Sequence, residues 1–215
     1  MDAVIFDMDG VLVDSERFIA EAAIRMFAEK GVQVHADDFL PFVGAGEDRY
    51  LGGVAAKYAV PFNLEKDKTR TYEIYGQMIR GKLQPLAGVA EFTAECRARG
   101  LKLAVASSAD WVKVKANLTE IGMLVGVFDV IVNGLDVVHK KPAPDIFLCA
   151  AERLGVNPRQ ALVVEDAVNG VRAAKAAGSR CLGLTTSFSV TTLENAGADW
   201  SAPDLAHVPP QALAW

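Results

Sequence analysis

Asp7 and Asp9, one residue apart, close the first apolar run of this 215-residue sequence. A second acidic pair, Glu165-Asp166, closes another apolar run far downstream. Ser107, with Ser108 beside it, ends a third run, and Lys141 follows a fourth. Four carboxylates gathered in one crevice would repel each other strongly, and one lysine could not offset them. A hard divalent cation resolves that repulsion, and an all-oxygen donor set favours magnesium over zinc. The same residues suit phosphoryl transfer. Asp7 is a carboxylate nucleophile able to form an aspartyl-phosphate, and Asp9 can serve as general acid and then general base. Ser107, Ser108 and Lys141 can bind the phosphoryl oxygens, with Lys141 and magnesium offsetting charge on the transferring group. Gly10 permits the tight turn that turns backbone N–H groups towards those oxygens.

Such a cluster needs elements that bring distant residues to one edge. Short apolar runs at Ala3–Phe6, Leu101–Ala106, Val127–Val132, Ala161–Val164 and Arg180–Leu184 read as buried strands. Helical patterns follow them, which predicts an α/β fold with a Rossmann-like parallel sheet covered on both faces. The carboxyl ends of parallel strands share one edge, where ligands bind. Helices over 89–99, 144–154 and 168–177 each end before a glycine, Gly100, Gly155 and Gly178. One stretch breaks this rhythm. From Ser15 to Gly81 there is only helical periodicity, with Phe18, Ile19, Ala22, Ala23, Met26 and Phe27 on one face, and further helical stretches at 51–58 and 64–79. The expected organisation is a core of residues 1–14 and 82–215 with a helical insert at 15–81, joined by hinges near Val13–Ser15 and Gly81–Pro85.

The net charge of −5 provides no basic field for nucleic acid or an acidic membrane. No apolar run approaches a membrane span. Because the sequence enters its first strand at once, no leader peptide is expected, and Cys96, Cys149 and Cys181 lack CxxC or Cys/His pairing. A cytoplasmic protein with reduced thiols is expected. The oligomeric state is open, with a monomer as the default. Asp14-Ser15-Glu16 does not complete an EF-hand, no GxxxxGK[ST] is present, and His35, His139 and His207 are isolated.

Asp7-Met8-Asp9-Gly10-Val11, Ser107 in Val105-Ala106-Ser107-Ser108, Lys141 in Lys141-Pro142-Ala143-Pro144-Asp145, and Glu165-Asp166 in Val164–Gly170 resemble, in order, the four motifs of the haloacid dehalogenase superfamily. Together they cover the chain from Asp7 to Gly170, and the helical insert is similar to the small cap of the β-phosphoglucomutase-like branch. The resemblance implies Asp7 as nucleophile, Asp9 as acid/base, and Ser107 and Lys141 as phosphate binders. It further implies magnesium held by Asp7, the Asp9 backbone carbonyl and Asp166, with Glu165 binding directly or through water. Departures from the branch bear on substrate. The residues that would bind a second phosphate in the sugar-phosphate mutases fall on Ala109, Asp110 and Trp111, and the cap arginine falls on Glu47, with Arg49 two residues later. The cap histidine falls near Ile19. Gly44, Glu47 and Arg49 are the expected specificity residues of the cap loop. The expected function is magnesium-dependent hydrolysis of a small phosphorylated metabolite, such as a sugar phosphate monoester. A phosphomutase, or a non-enzymatic phosphoacceptor module, is the alternative.

Overall fold

A computed structural model describes residues 1–42 and 46–215 of the chain. Six parallel strands form one sheet in the order β3-β2-β1-β4-β5-β6. They are β1 (Ala3–Phe6), β2 (Lys102–Ala106), β3 (Val130–Val132), β4 (Ala161–Glu165), β5 (Arg180–Leu184) and β6 (Trp200–Ala202). Five of these match expected strands, and β6 is additional. Its three residues are too few for a periodic signal, and it pairs only with β5 at the sheet edge. The third strand is shorter than its apolar run because Val127 and Phe128 pack beside the core before the ladder begins.

β1 lies centrally and is buried on both faces. Val4 and Phe6 point into one apolar cluster and Ala3 and Ile5 into the other, as the two-residue period of a strand requires. Phe6 meets Phe92 and Phe128 edge-on, with centroids 6.0 and 5.9 Å away. Each such large side chain removed from water contributes about 1.5–3 kcal/mol. The helices α4 (Val89–Ala98), α5 (Trp111–Glu120), α6 (Asp145–Leu154), α7 (Val168–Ala176) and α8 (Val190–Ala196) link the strands.

Between β1 and β2 the described residues form no strand, only α1 (Glu16–Glu29), α2 (Glu47–Lys57), α3 (Leu64–Ile79) and short 3₁₀ turns before α4. The face of α1 read from its spacing, Phe18 through Phe27, is buried, chiefly against α3. Asn63 caps α3 by accepting the Lys66 N–H at 2.9 Å. Where the chain leaves and rejoins the sheet layer, Val13 bridges Pro85 in antiparallel fashion, and the Leu86 N–H donates to the Leu12 carbonyl at 2.9 Å.

Candidate active site

Register alone gathers much of the site. Phe6 pairs with Val105 on one side and Val164 on the other. One step beyond that row stand Asp7, Ala106 and Glu165, and one step further Ser107 and Asp166. Asp7 is anchored through its N–H to the Val164 carbonyl at 2.9 Å. Lys141, on the loop between β3 and α6, places its Nζ 2.5 Å from Asp7 Oδ1 and 2.6 Å from Glu165 Oε1. The Phe147 ring closes over the same ammonium at 4.8 Å. Glu165 cannot swing away, because its Oε2 accepts the N–H groups of Asp166 at 2.8 Å and Ala167 at 2.7 Å.

Two glycines make this density possible. A Cβ on Gly170 would strike the Glu165 carboxylate, and one on Gly10 would strike the Asp166 carboxylate. Gly10 also has φ +75, a region that side-chain-bearing residues avoid. Asp166 receives a further hydrogen bond from the Ser187 hydroxyl beyond β5.

Burial dominates the electrostatics. It pushes the Asp7 carboxyl up to about 7, against the pull of Lys141. It also drives Asp166 well above the ordinary carboxylate range, reinforced by the charges of Glu165 and Asp7. Burial opposes the charge on Lys141, but Asp7 and Glu165 outweigh it and hold that pKa above its usual value. Among the described residues no three acidic, histidine or cysteine side chains converge on one point. The carboxylates of Asp7 and Glu165 gather on Lys141 instead. The donor chemistry nevertheless fits a hard cation: Asp7 and Asp166 are buried oxygen donors whose pKa values burial raises, and the charge of a divalent cation would offset that penalty.

Asp9 lines the same cavity but takes other partners. Its Oδ1 accepts the Ser15 hydroxyl, and its Oδ2 lies 2.8 Å from the Nζ of Lys113 on α5. Lys113 is only 3% exposed and also pairs with Glu47 Oε1 at 3.4 Å. Burial works against its charge, yet Asp9 and Glu47 keep its pKa well above normal. Burial likewise raises Glu16 and Glu47. A cavity of about 330 Å³ opens between the sheet edge and the insert, at the small end of the range for ligand pockets. Asp7, Asp9, Ser107, Ser108, Lys113, Lys141, Glu165 and Asp166 line it, joined from the insert by Glu16, Ile19, Glu47 and Tyr50.

A family model for haloacid dehalogenase-like hydrolases matches residues 1–178. The chain belongs to that family. It is 44% identical over 97% of its length to the chloroplastic protein SUPPRESSOR OF QUENCHING 1 of Arabidopsis thaliana, and spans 20% of that longer protein. It is 35% identical to a phosphorylated carbohydrates phosphatase of Thermotoga maritima, covering 88% of each. The crystal structure of a mutant CbbY from Rhodobacter sphaeroides with xylulose-(1,5)bisphosphate superposes with TM-score 0.83 at 27% identity, over 96% of this chain and 95% of that one. The hydrolase family and the phosphatase class read from the motifs are borne out by these relatives.

The structure brings Asp7, Asp9, Ser107, Ser108, Lys141, Glu165 and Asp166 to one cavity. Ser107 is buried and its hydroxyl accepts the Ala109 N–H at 3.2 Å, whereas the buried Ser108 hydroxyl has no partner. In the cap loop, Gly44 lies outside the described residues. Glu47 is buried and lines the cavity, but Arg49 is exposed and does not. Two positions along α2 turn the side chain by about 200°, so the two residues cannot share a face. Asp110, on which one of the mutases' second-phosphate positions falls, lies outside the lining and pairs with Lys68 at 2.6 Å. Lys113 and Glu16 are the site residues that motif reading missed. A stripe of polar residues on α5, Asp110, Lys113, Asn117 and Glu120, recurs at helical spacing and was the available signal. No helix among the described residues is long and apolar enough to cross a membrane.

Proposed function

We propose that the chain hydrolyses a small phosphate monoester, such as a sugar phosphate, in two steps through a phosphorylated Asp7. The observation that carries this reading is the ammonium of Lys141 bridging Asp7 and Glu165 at 2.5 and 2.6 Å on the carboxyl edge of the sheet. Asp7 attacks phosphorus and the ester oxygen leaves. Asp9, held by Ser15 and Lys113, donates the proton to that oxygen and then takes one from the water that cleaves the acyl phosphate. Ser107, Ser108 and Lys141 bind the phosphoryl oxygens. Hydrolases of this family generally use magnesium; here Asp7, the Asp9 carbonyl and Asp166 would hold it, with Glu165 in support. When bound, the cation supplies positive charge that lets an anionic nucleophile meet an anionic phosphate.

Residues 15–81 act in this reading as a cap over a core of 1–14 and 82–215. The paired crossings at Val13–Pro85 support that division, and Glu47, a cavity residue of the insert, supports a role for the cap in substrate choice. The phosphatase relative named for phosphorylated carbohydrates favours a sugar phosphate. The free thiols suit a reducing compartment; a cytoplasmic site belongs to the proposal, although one relative is chloroplastic. The test is phosphate release from an aryl phosphate with magnesium, with EDTA, and with Asp7→Asn. Release only by the unaltered, magnesium-supplied protein is expected. Activity that survives both EDTA and the substitution overturns the mechanism.

A further inference from the structure

Opposite the nucleophile, the cavity wall is acidic. Glu16 from α1 and Glu47 from α2 both line it, beside Asp9. One oxygen of each glutamate, Glu16 Oε1 and Glu47 Oε2, is buried without a hydrogen-bond partner. Glu47 is only 6% exposed, so its free oxygen has little access to bulk water to satisfy it. Among the described lining residues the cations are Lys141 and Lys113. Lys141 is committed to Asp7 and Glu165. Lys113 lies between Asp9 and Glu47, at 2.8 and 3.4 Å. Recruiting Lys113 to a second phosphate would strip both carboxylates of their counter-charge in a desolvated wall.

We infer that this wall is a leaving-group subsite that accepts phosphate esters of an uncharged, hydroxyl-bearing alcohol and excludes a second phosphate or a carboxylate. The inference rests on the phosphatase reading and narrows its substrate class. A carboxylate oxygen only accepts hydrogen bonds, so the two orphaned oxygens call for donors. Sugar or polyol hydroxyls supply them without adding charge. A second phosphate would instead bring two negative charges against Glu16, Glu47 and Asp9, and would find no free cation among the described residues of the wall. Glu47 lies on the insert and Lys113 on the sheet layer, so the subsite is complete only when both sides meet. That arrangement separates this chain from a phosphomutase, whose reaction passes through a bisphosphate held at both ends.

The experiment uses the full chain with magnesium and compares kcat/KM within matched pairs: several sugar monophosphates against the bisphosphates of the same sugars, and glycerol phosphate against phosphoglycerate. At least about a tenfold preference for the monophosphate and for the uncharged polyol is expected in each pair, the scale of one uncompensated like-charge contact. Glu47→Gln removes a charge from the wall, and it should shrink the monophosphate preference at least about threefold by lowering KM for the bisphosphate. The unaltered chain decides the matter even if that variant fails to fold. Equal or better turnover of the bisphosphates, or of phosphoglycerate, overturns the subsite while leaving the phosphatase reading intact. Failure to release phosphate from any ester, aryl phosphate included, overturns the parent reading instead.

Discussion

The Nζ of Lys113 lies 2.8 Å from Asp9 Oδ2, joining a helix after β2 to the loop after β1 across 104 residues of sequence. Lys113 is 3% exposed, and the Tyr75 ring stands 5.9 Å from the same ammonium. A lysine so placed is held by its carboxylates rather than by water, and those carboxylates depend on it in return.

Lys113→Met should therefore destabilise the protein by about 3–5 kcal/mol, because it leaves a buried Glu47 and a half-buried Asp9 without their cation. Lys113→Arg, which keeps the charge, should lose much less. Urea denaturation at neutral pH reads both variants. A loss under about 1 kcal/mol for the methionine variant would show that the pair contributes little.

Without metal, the folded protein should become less stable as pH rises. Burial raises the Asp7 pKa from the ordinary 3.8 to about 7, so between those values the folded state holds a proton that the unfolded chain has released. Unfolding free energy then falls with pH through that window, by up to about 1.4 kcal/mol per unit from this group. Asp166 is shifted in the same direction. In EDTA, Asp7→Asn should flatten the slope, and Asp166→Asn should raise the melting temperature above that of the unaltered protein at pH 8. A metal-free protein whose stability climbs from pH 5 to pH 8 would contradict this account.

Gly170→Ala should damage the site from a helix that carries no catalytic group. The added methyl meets the Glu165 carboxylate, whose Oε2 is held by two backbone N–H groups and whose Oε1 faces Lys141. Overpacking of this kind costs about 1–3 kcal/mol. The shift of Glu165 should also weaken magnesium activation, seen as a higher magnesium concentration for half-maximal phosphate release.

Tyr75→Phe tests the junction between α3 and α5. The Tyr75 hydroxyl donates to Asn117 Oδ1, and both residues are buried. Loss of the hydroxyl strands the amide oxygen at a cost of about 1–3 kcal/mol. Equilibrium unfolding should register that loss in full. An unchanged midpoint would mean that water reaches Asn117 when the hydroxyl is gone.

The residues of the phosphoryl site were legible because a parallel sheet does the gathering. Once Ala3–Phe6 and Ala161–Val164 are recognised as buried strands, Asp7 and the Glu165-Asp166 pair must share an edge, whatever lies between them. The helical insert was equally plain from its period, since α1 shows its buried face in Phe18, Ile19, Ala22, Ala23, Met26 and Phe27. β6 escaped because three residues, two half-buried and one buried, are too few to carry a pattern.

The opposite wall of the cavity followed other physics. Lys113 in Trp111–Glu120 looks like any solvated lysine of a surface helix, and Glu16 like an ordinary first-turn acid. Only the packing of α1, α2 and α5 around α3 removes their water and turns them into a charged, desolvated surface. Glu47 and Arg49 make the same point, since the rotation of α2 sends one into the cavity and the other into solvent. Sequence alone determined the fold class, the hydrolase family and which residues gather at the carboxyl edge of the sheet, because the succession of strands and helices and the local motifs suffice for those. Tertiary structure decided which further charges line the cavity, because desolvation depends on neighbours that no single segment encodes.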